Sequence, residues 1–181
     1  MRQRTLIATG SLLLLIAAGS LVTGRYLAAA PRLPAPALDS LVAHAAAVRG
    51  VPAAGLRLLE VRRIGPDIAV IYRTGQQPGA ALLTGGREEW TVSAEAGDPG
   101  PLAVAAGRVG AADLVANDLH IVFLAIGDAR VGQVFVRFPD DGMVLKAPRH
   151  GDYSIVWRPA ASVPSGFVIE TYDRRGMRLN R

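Results

Sequence analysis

Residues 5–23 read TLIATGSLLLLIAAGSLVT, nineteen residues in a row without a charge. As a helix, such a run just spans the hydrocarbon layer of a bilayer, roughly 30 Å thick. A helix on the surface of a soluble domain keeps one polar side, and this run has none. Gly10, Ser11, Gly19 and Ser20 are small residues that membrane helices tolerate. Residues 1–25 are therefore expected to be a transmembrane anchor or a signal. A signal needs a small-x-small cleavage site. Ala28, Ala29 and Ala30 offer one, but Pro31 would follow the cut, and Arg25 and Tyr26 intervene. An uncleaved anchor is the preferred expectation, and secretion after signal cleavage is the alternative. Arg2, Arg4 and the amino terminus outweigh Arg25 and Arg32, which places the N-terminus inside. The expected location is the cell membrane, single-pass, through residues 5–23, with the C-terminal domain extracytoplasmic.

Twenty basic residues face 15 acidic ones. Setting aside Arg2, Arg4 and Arg25, which flank the apolar run, leaves 17 against 15. A nucleic-acid binder presents a basic face or stripe. Here the arginines are scattered singly, except in the tail at Arg174, Arg175, Arg178 and Arg181. No nucleic-acid partner is expected. The chain has no cysteine, which excludes disulfides, thiolate metal sites and cysteine nucleophiles. The core alone must stabilise the fold.

Residues 26–37, with Pro31, Pro34 and Pro36, read as a Pro/Ala-rich spacer. Asp39 or Ser40 is expected to cap a short juxtamembrane helix ending at Arg49, with Leu38, Leu41, Val42, Ala45 and Val48 on one side. Gly50 and Pro52 supply the stop. From Gly55 the apolar period falls to two, and strands are expected over 56–62, 68–72, 80–83 and 90–94. Residues 38–96 thus form a helix plus an antiparallel β meander. Residues 97–117, opening on Gly97-Asp98-Pro99-Gly100-Pro101, form an ambiguous connector with room for one strand and a helical turn. In residues 118–181, strands are expected over 119–126, 131–138, 143–147, 153–157, 167–172 and 177–179. Turns every 8–12 residues there suggest a β-sandwich. The fold class is mainly β, α+β by strict count. Alternation predicts Val134, Val136, Tyr153, Ile155, Trp157, Val168 and Tyr172 inside, with Asp140, Asp141, Arg174 and Arg175 outside.

One order of elements carries a resemblance. VGQVFVRF at 131–138, Asp141-Gly142, GDYSIVW at 151–157 and IETYDRRG at 169–176 follow each other. This resembles the C-terminal Ig-like β-sandwich half of small membrane-anchored extracytoplasmic proteins of Gram-positive bacteria. Ile71-Tyr72-Arg73 and Glu89-Trp90 are similar to that group's first half. The resemblance implies an Ig-like fold outside the membrane. It brings no functional residues with it.

The candidate sites have plain structural counterparts. Asp140, Asp141 and Asp152 offer oxygen ligands for calcium, but Asp141-Gly142 is also an ordinary hairpin turn. His44, His120 and His150 are too far apart in sequence for a local metal motif. His150 with Asp152 forms half of a catalytic dyad, yet Ser154 and Ser162 lack a nucleophile elbow. Trp90, Trp157, Tyr153, Tyr172 and Phe167 can line a ligand groove or fill the core. No catalytic, cofactor-binding or metal residue is assigned. The expected function is a membrane-tethered, non-catalytic interaction domain acting through a protein partner in the cell envelope. The alternative is an extracytoplasmic hydrolase or small-ligand-binding domain acting on an envelope component.

Overall fold

A computed structural model describes residues 32–50, 55–97, 100–104, 106–148, 152–160 and 166–179, all within the compact unit Pro31–Arg181. Residues 5–23, the 28–30 cleavage site and His150 lie outside the described residues. Among the described residues no helix is long and apolar enough to cross a membrane.

Helix α1 spans Ala35–Arg49. It begins earlier than Asp39 or Ser40, inside the stretch read as spacer, with Pro34 as N-cap and no side-chain cap. Proline in the first turn is the reason: its fixed φ suits a helix start, and the missing N–H has no partner there anyway. Freed from capping, the Ser40 hydroxyl donates to the Trp90 carbonyl. Gly50 ends the helix at φ 63°, its N–H on the Ala46 carbonyl at 3.0 Å. Ala37, Leu41 and Ala45 form the buried face, and Val48 is solvent-exposed rather than inside.

Among the described residues ten strands follow, all in antiparallel pairs. Sheet I is the meander β1 (Leu56–Ile64), β2 (Asp67–Thr74), β3 (Gln77–Gly85) and β4 (Trp90–Glu95). Sheet II has the order β5-β6-β9, from Val109–Ala116, Leu119–Ile126 and Tyr153–Pro159. Sheet III has the order β10-β7-β8, from Val168–Asp173, Val131–Arg137 and Val144–Lys146. The connector between the two predicted halves is resolved as a 3-10 turn, Gly100–Leu102, followed by β5.

Three apolar clusters stack these layers. The helix residues Ala37, Leu41 and Ala45 bury Ile68, Val70, Tyr72 and Trp90 on one face of sheet I. The other face, through Ile71, Ala80 and Leu82, meets Ile121, Phe123 and Ile155 of sheet II. The far face of sheet II, through Val122, Leu124 and Val156, meets Val134, Val136 and Phe138 of sheet III. The layer order is helix, sheet I, sheet II, sheet III. Strands β2 and β6 lie in the two inner layers and are buried on both faces, which is why each is a continuous apolar run.

This layering corrects part of the predicted burial. Val134, Val136 and Ile155 are inside as expected. In β9 the adjacent residues Ser154, Ile155 and Val156, together with Arg158, are all buried, whereas Trp157 is 37% exposed. Packing on both faces of β9 buries Ser154 and Val156 as well as Ile155, and that packing leaves Trp157 partly open. Val168 is 45% exposed because it lies on the uncovered face of sheet III, paired with Arg137 while Ile169 faces Val136. Tyr153 and Tyr172 are half-buried.

Candidate functional site

The Asp140–Asp141 turn does not send its carboxylates apart into water. Both converge on the guanidinium of Arg158, one on each terminal nitrogen. Arg158 lies on β9, its side chain only 2% exposed, stacked 4.2 Å above the Phe138 ring. The Asp140 carboxylate is 16% exposed and that of Asp141 is 42% exposed, although both residues as a whole count as exposed. The Asp140 hydrogen bond is the main reason the guanidinium holds its proton even more tightly than usual. The carboxylates that resembled calcium ligands are thus already engaged by a cation of the chain itself. Among the described residues no group of three or more His, Asp or Glu is placed to hold a metal. Millimolar calcium should therefore leave the melting temperature unchanged. Calcium at a hundred times its dissociation constant would add about 2.7 kcal/mol, so a calcium-dependent rise abolished by Asp141→Ala would contradict this assignment.

His120 sits beside the same ion pair, opposite Arg158 in the β6–β9 register and 1% exposed. Its Nε2 is 3.1 Å from Asp113 Oδ2, and its ring meets Phe138 and Phe167 edge-on at 5.1 and 6.3 Å. His120, Arg158 and the aromatic rings close one end of the core between sheets II and III. His44 is elsewhere, on α1, 3.1 Å from Glu95, whose other oxygen accepts the Tyr72 hydroxyl at 2.9 Å. The Ser154 hydroxyl donates to the Pro148 carbonyl at 2.6 Å. Neither described histidine bonds a serine.

A second polar cluster decorates the uncovered face of sheet III. Glu170 accepts from Arg137 at 3.3 and 3.5 Å and from the Tyr172 hydroxyl at 3.2 Å, with Arg178 at 3.7 Å. Arg137 first, then Tyr172 and Arg178, hold its carboxyl below the usual carboxylate range, against the opposing effect of burial. An acid depressed on folding contributes stability above its unfolded pKa and loses it as pH falls through the lower folded value. Acidification through the carboxylate range should therefore cost the wild-type chain more stability than it costs Glu170→Gln. Urea-unfolding midpoints that fall in parallel for the two proteins would contradict that.

The sequence-singled aromatic residues do not assemble. Trp90 is buried under α1, Phe167 packs on His120, and Tyr172 meets Phe135 edge-on at 5.6 Å. Tyr153 accepts from Arg73 at 2.9 Å. Trp157 alone reaches an open cleft of about 330 Å³, lined also by Leu145, Lys146, Pro148, Ile155 and Val156. Val156 belongs to the core facing sheet III, while Ile155 belongs to the core facing sheet I. A cleft touching both faces of β9 lies along that strand's edge. Leu145 and Lys146 are likewise neighbours on opposite faces of β8. The cleft is thus a slot between the edges of β8 and β9, each paired on one side only. Sequence reasoning missed it because a slot between two edges depends on which strands end the sheets. Comparison with protein-family models, with curated proteins and with solved structures gives no match.

Proposed function

We propose that the chain is a membrane-tethered, extracytoplasmic interaction domain that binds a protein partner of the cell envelope at the β8–β9 edge. The tether is the uncharged run at 5–23. The observation that carries the binding role is the slot itself: among the described residues its lining is apolar except for the cation Lys146. Hydrophobic walls with one placed polar group make a recognition surface. Among the described residues, His44, His120 and Ser154 lie outside the lining, so they do not support the hydrolase alternative. The sheet orders β5-β6-β9 and β10-β7-β8 support the Ig-like half, since they correspond to strands A-B-E and F-C-C′ of such a sandwich.

The test is a photo-cross-linking amino acid placed in living cells at position 157, and separately at Gln133 on sheet III. The proposal expects a discrete adduct with an envelope protein from position 157 that position 133 does not give. Equal labelling from both positions, or none from 157, would speak against it.

A further inference from the structure

We propose that the β8–β9 slot takes an extended segment of the partner as a fourth strand on sheet II, with a carboxylate of that segment on Lys146. This rests on the interaction role just proposed and names the chemistry of its ligand.

Three observations point to a strand rather than a helix or a small molecule. The slot is lined from two edge strands, and among the described residues the outer side of β9 pairs with no other strand. Of the two edges, β9 has seven residues and β8 only three, so β9 is the template that can hold a run of main-chain hydrogen bonds. An added strand places alternate side chains on its two sides, and the slot offers apolar surface to both: Val156, Leu145 and Pro148 on one, Ile155 and Trp157 on the other. Main-chain pairing then supplies affinity, and these side-chain seats supply selectivity.

The charge of the segment follows from Lys146. It is the only lysine in the chain and is exposed. Among the described residues no carboxylate pairs with it, and Glu170, the acid of the same sheet face, is held by Arg137, Arg178 and Tyr172. A lysine among the residues lining an apolar slot favours a ligand that brings a carboxylate and disfavours one that brings a second cation. A second copy of this chain fits poorly, because a two-fold contact at this edge sets the same Lys146 on both sides. An acidic-apolar segment of a different protein fits both the walls and the lysine.

The full-length chain is titrated into a fluorescein-labelled, end-blocked valine peptide with one glutamate near its end for Lys146, seven residues long to match β9 and so apolar on both sides. Saturable binding is expected. Proline in place of the central valine should weaken it by about tenfold or more, since proline removes a ladder donor. Lys146→Glu, at an exposed site, should also weaken it by about tenfold or more and move the preference to a valine–lysine peptide. No binding, binding indifferent to the proline, or a preference that survives Lys146→Glu would each overturn strand addition. So would displacement of the peptide by dodecanoate, which would assign the slot to an acyl chain. If any of these occurs while position 157 still cross-links to a protein in cells, strand addition is wrong and the interaction role stands.

Discussion

Replacing Asp140 and Asp141 together by asparagine should destabilise the folded chain by about 3 kcal/mol, the scale of leaving a buried charge without its partner. Arg158 cannot shed its proton in response, because a guanidinium stays charged throughout the accessible pH range. Its side chain is 2% exposed, so the lost carboxylates would not be replaced by bulk water. The reverse substitution is the informative control. Arg158→Met keeps an unbranched apolar chain against Phe138 and releases two acids, one of them already 42% exposed, into water. It should cost about 1 kcal/mol or less, since the acids recover hydration. Among single changes, Asp140→Asn should cost more than Asp141→Asn, because the Asp140 carboxylate is the less exposed of the two. Urea midpoints with unchanged slope measure all four variants. Equal losses from the acid and the arginine sides would mean that Arg158 is hydrated.

Phe123→Ala should be as damaging, by about 3–5 kcal/mol, the usual range for emptying a fully buried aromatic site. Phe123 is fully buried and lies on β6 in the cluster shared by sheets I and II. Removing its ring therefore weakens the contact between the helix–meander part and the C-terminal sandwich at once. At about 2–4 °C per kcal/mol for a chain of this size, the melting temperature should fall by roughly 10 °C. Near-UV dichroism and the far-UV signal should still lose structure in one transition. Two resolved transitions in the wild-type protein would show that the parts unfold separately and that this interface adds little.

Much of the strand pattern was legible because turn chemistry and β periodicity coincide along most of the chain. Gly65-Pro66 joins Ile64 to Asp67, and the Asp140–Gly142 turn separates β7 from β8, as their residue types suggest. Strand β5 was legible only as room for one strand within residues 97–117. Its sequence VGAADLVA has few β-branched or aromatic residues, so propensity is silent. The available signal was the two-residue loop Asn117-Asp118, both at positive φ (51° and 59°), between Ala116 and Leu119. Asn and Asp tolerate that backbone region, and a turn of this type closes a hairpin.

The buried ion pair was legible only in half. Asp140 and Asp141 stood out as a pair of acids, and their turn is where expected. Their partner Arg158 follows Trp157 in a strand whose alternation argued for the tryptophan inside. Pairing Arg158 with His120 across β6–β9 sets the arginine on the core side facing Phe138. Only a register between distant strands can reveal that. The slot beside Trp157 has the same origin, because it exists only where β8 and β9 both end their sheets.

The absence of native cysteine gives the most direct test of the central claim, an outward-facing domain with an occupied β8–β9 edge. Single substitutions Arg174→Cys and Trp157→Cys provide one thiol each on an exposed loop and at the slot. Intact cells and the purified full-length chain are treated with a membrane-impermeant maleimide, and labelling is read by gel shift. The thiol at 174 should react in intact cells. The thiol at 157 should react in the purified chain and be protected in cells. A thiol at 174 that reacts only after lysis would contradict the outward orientation, and equal reaction at 157 in both preparations would contradict the occupied edge.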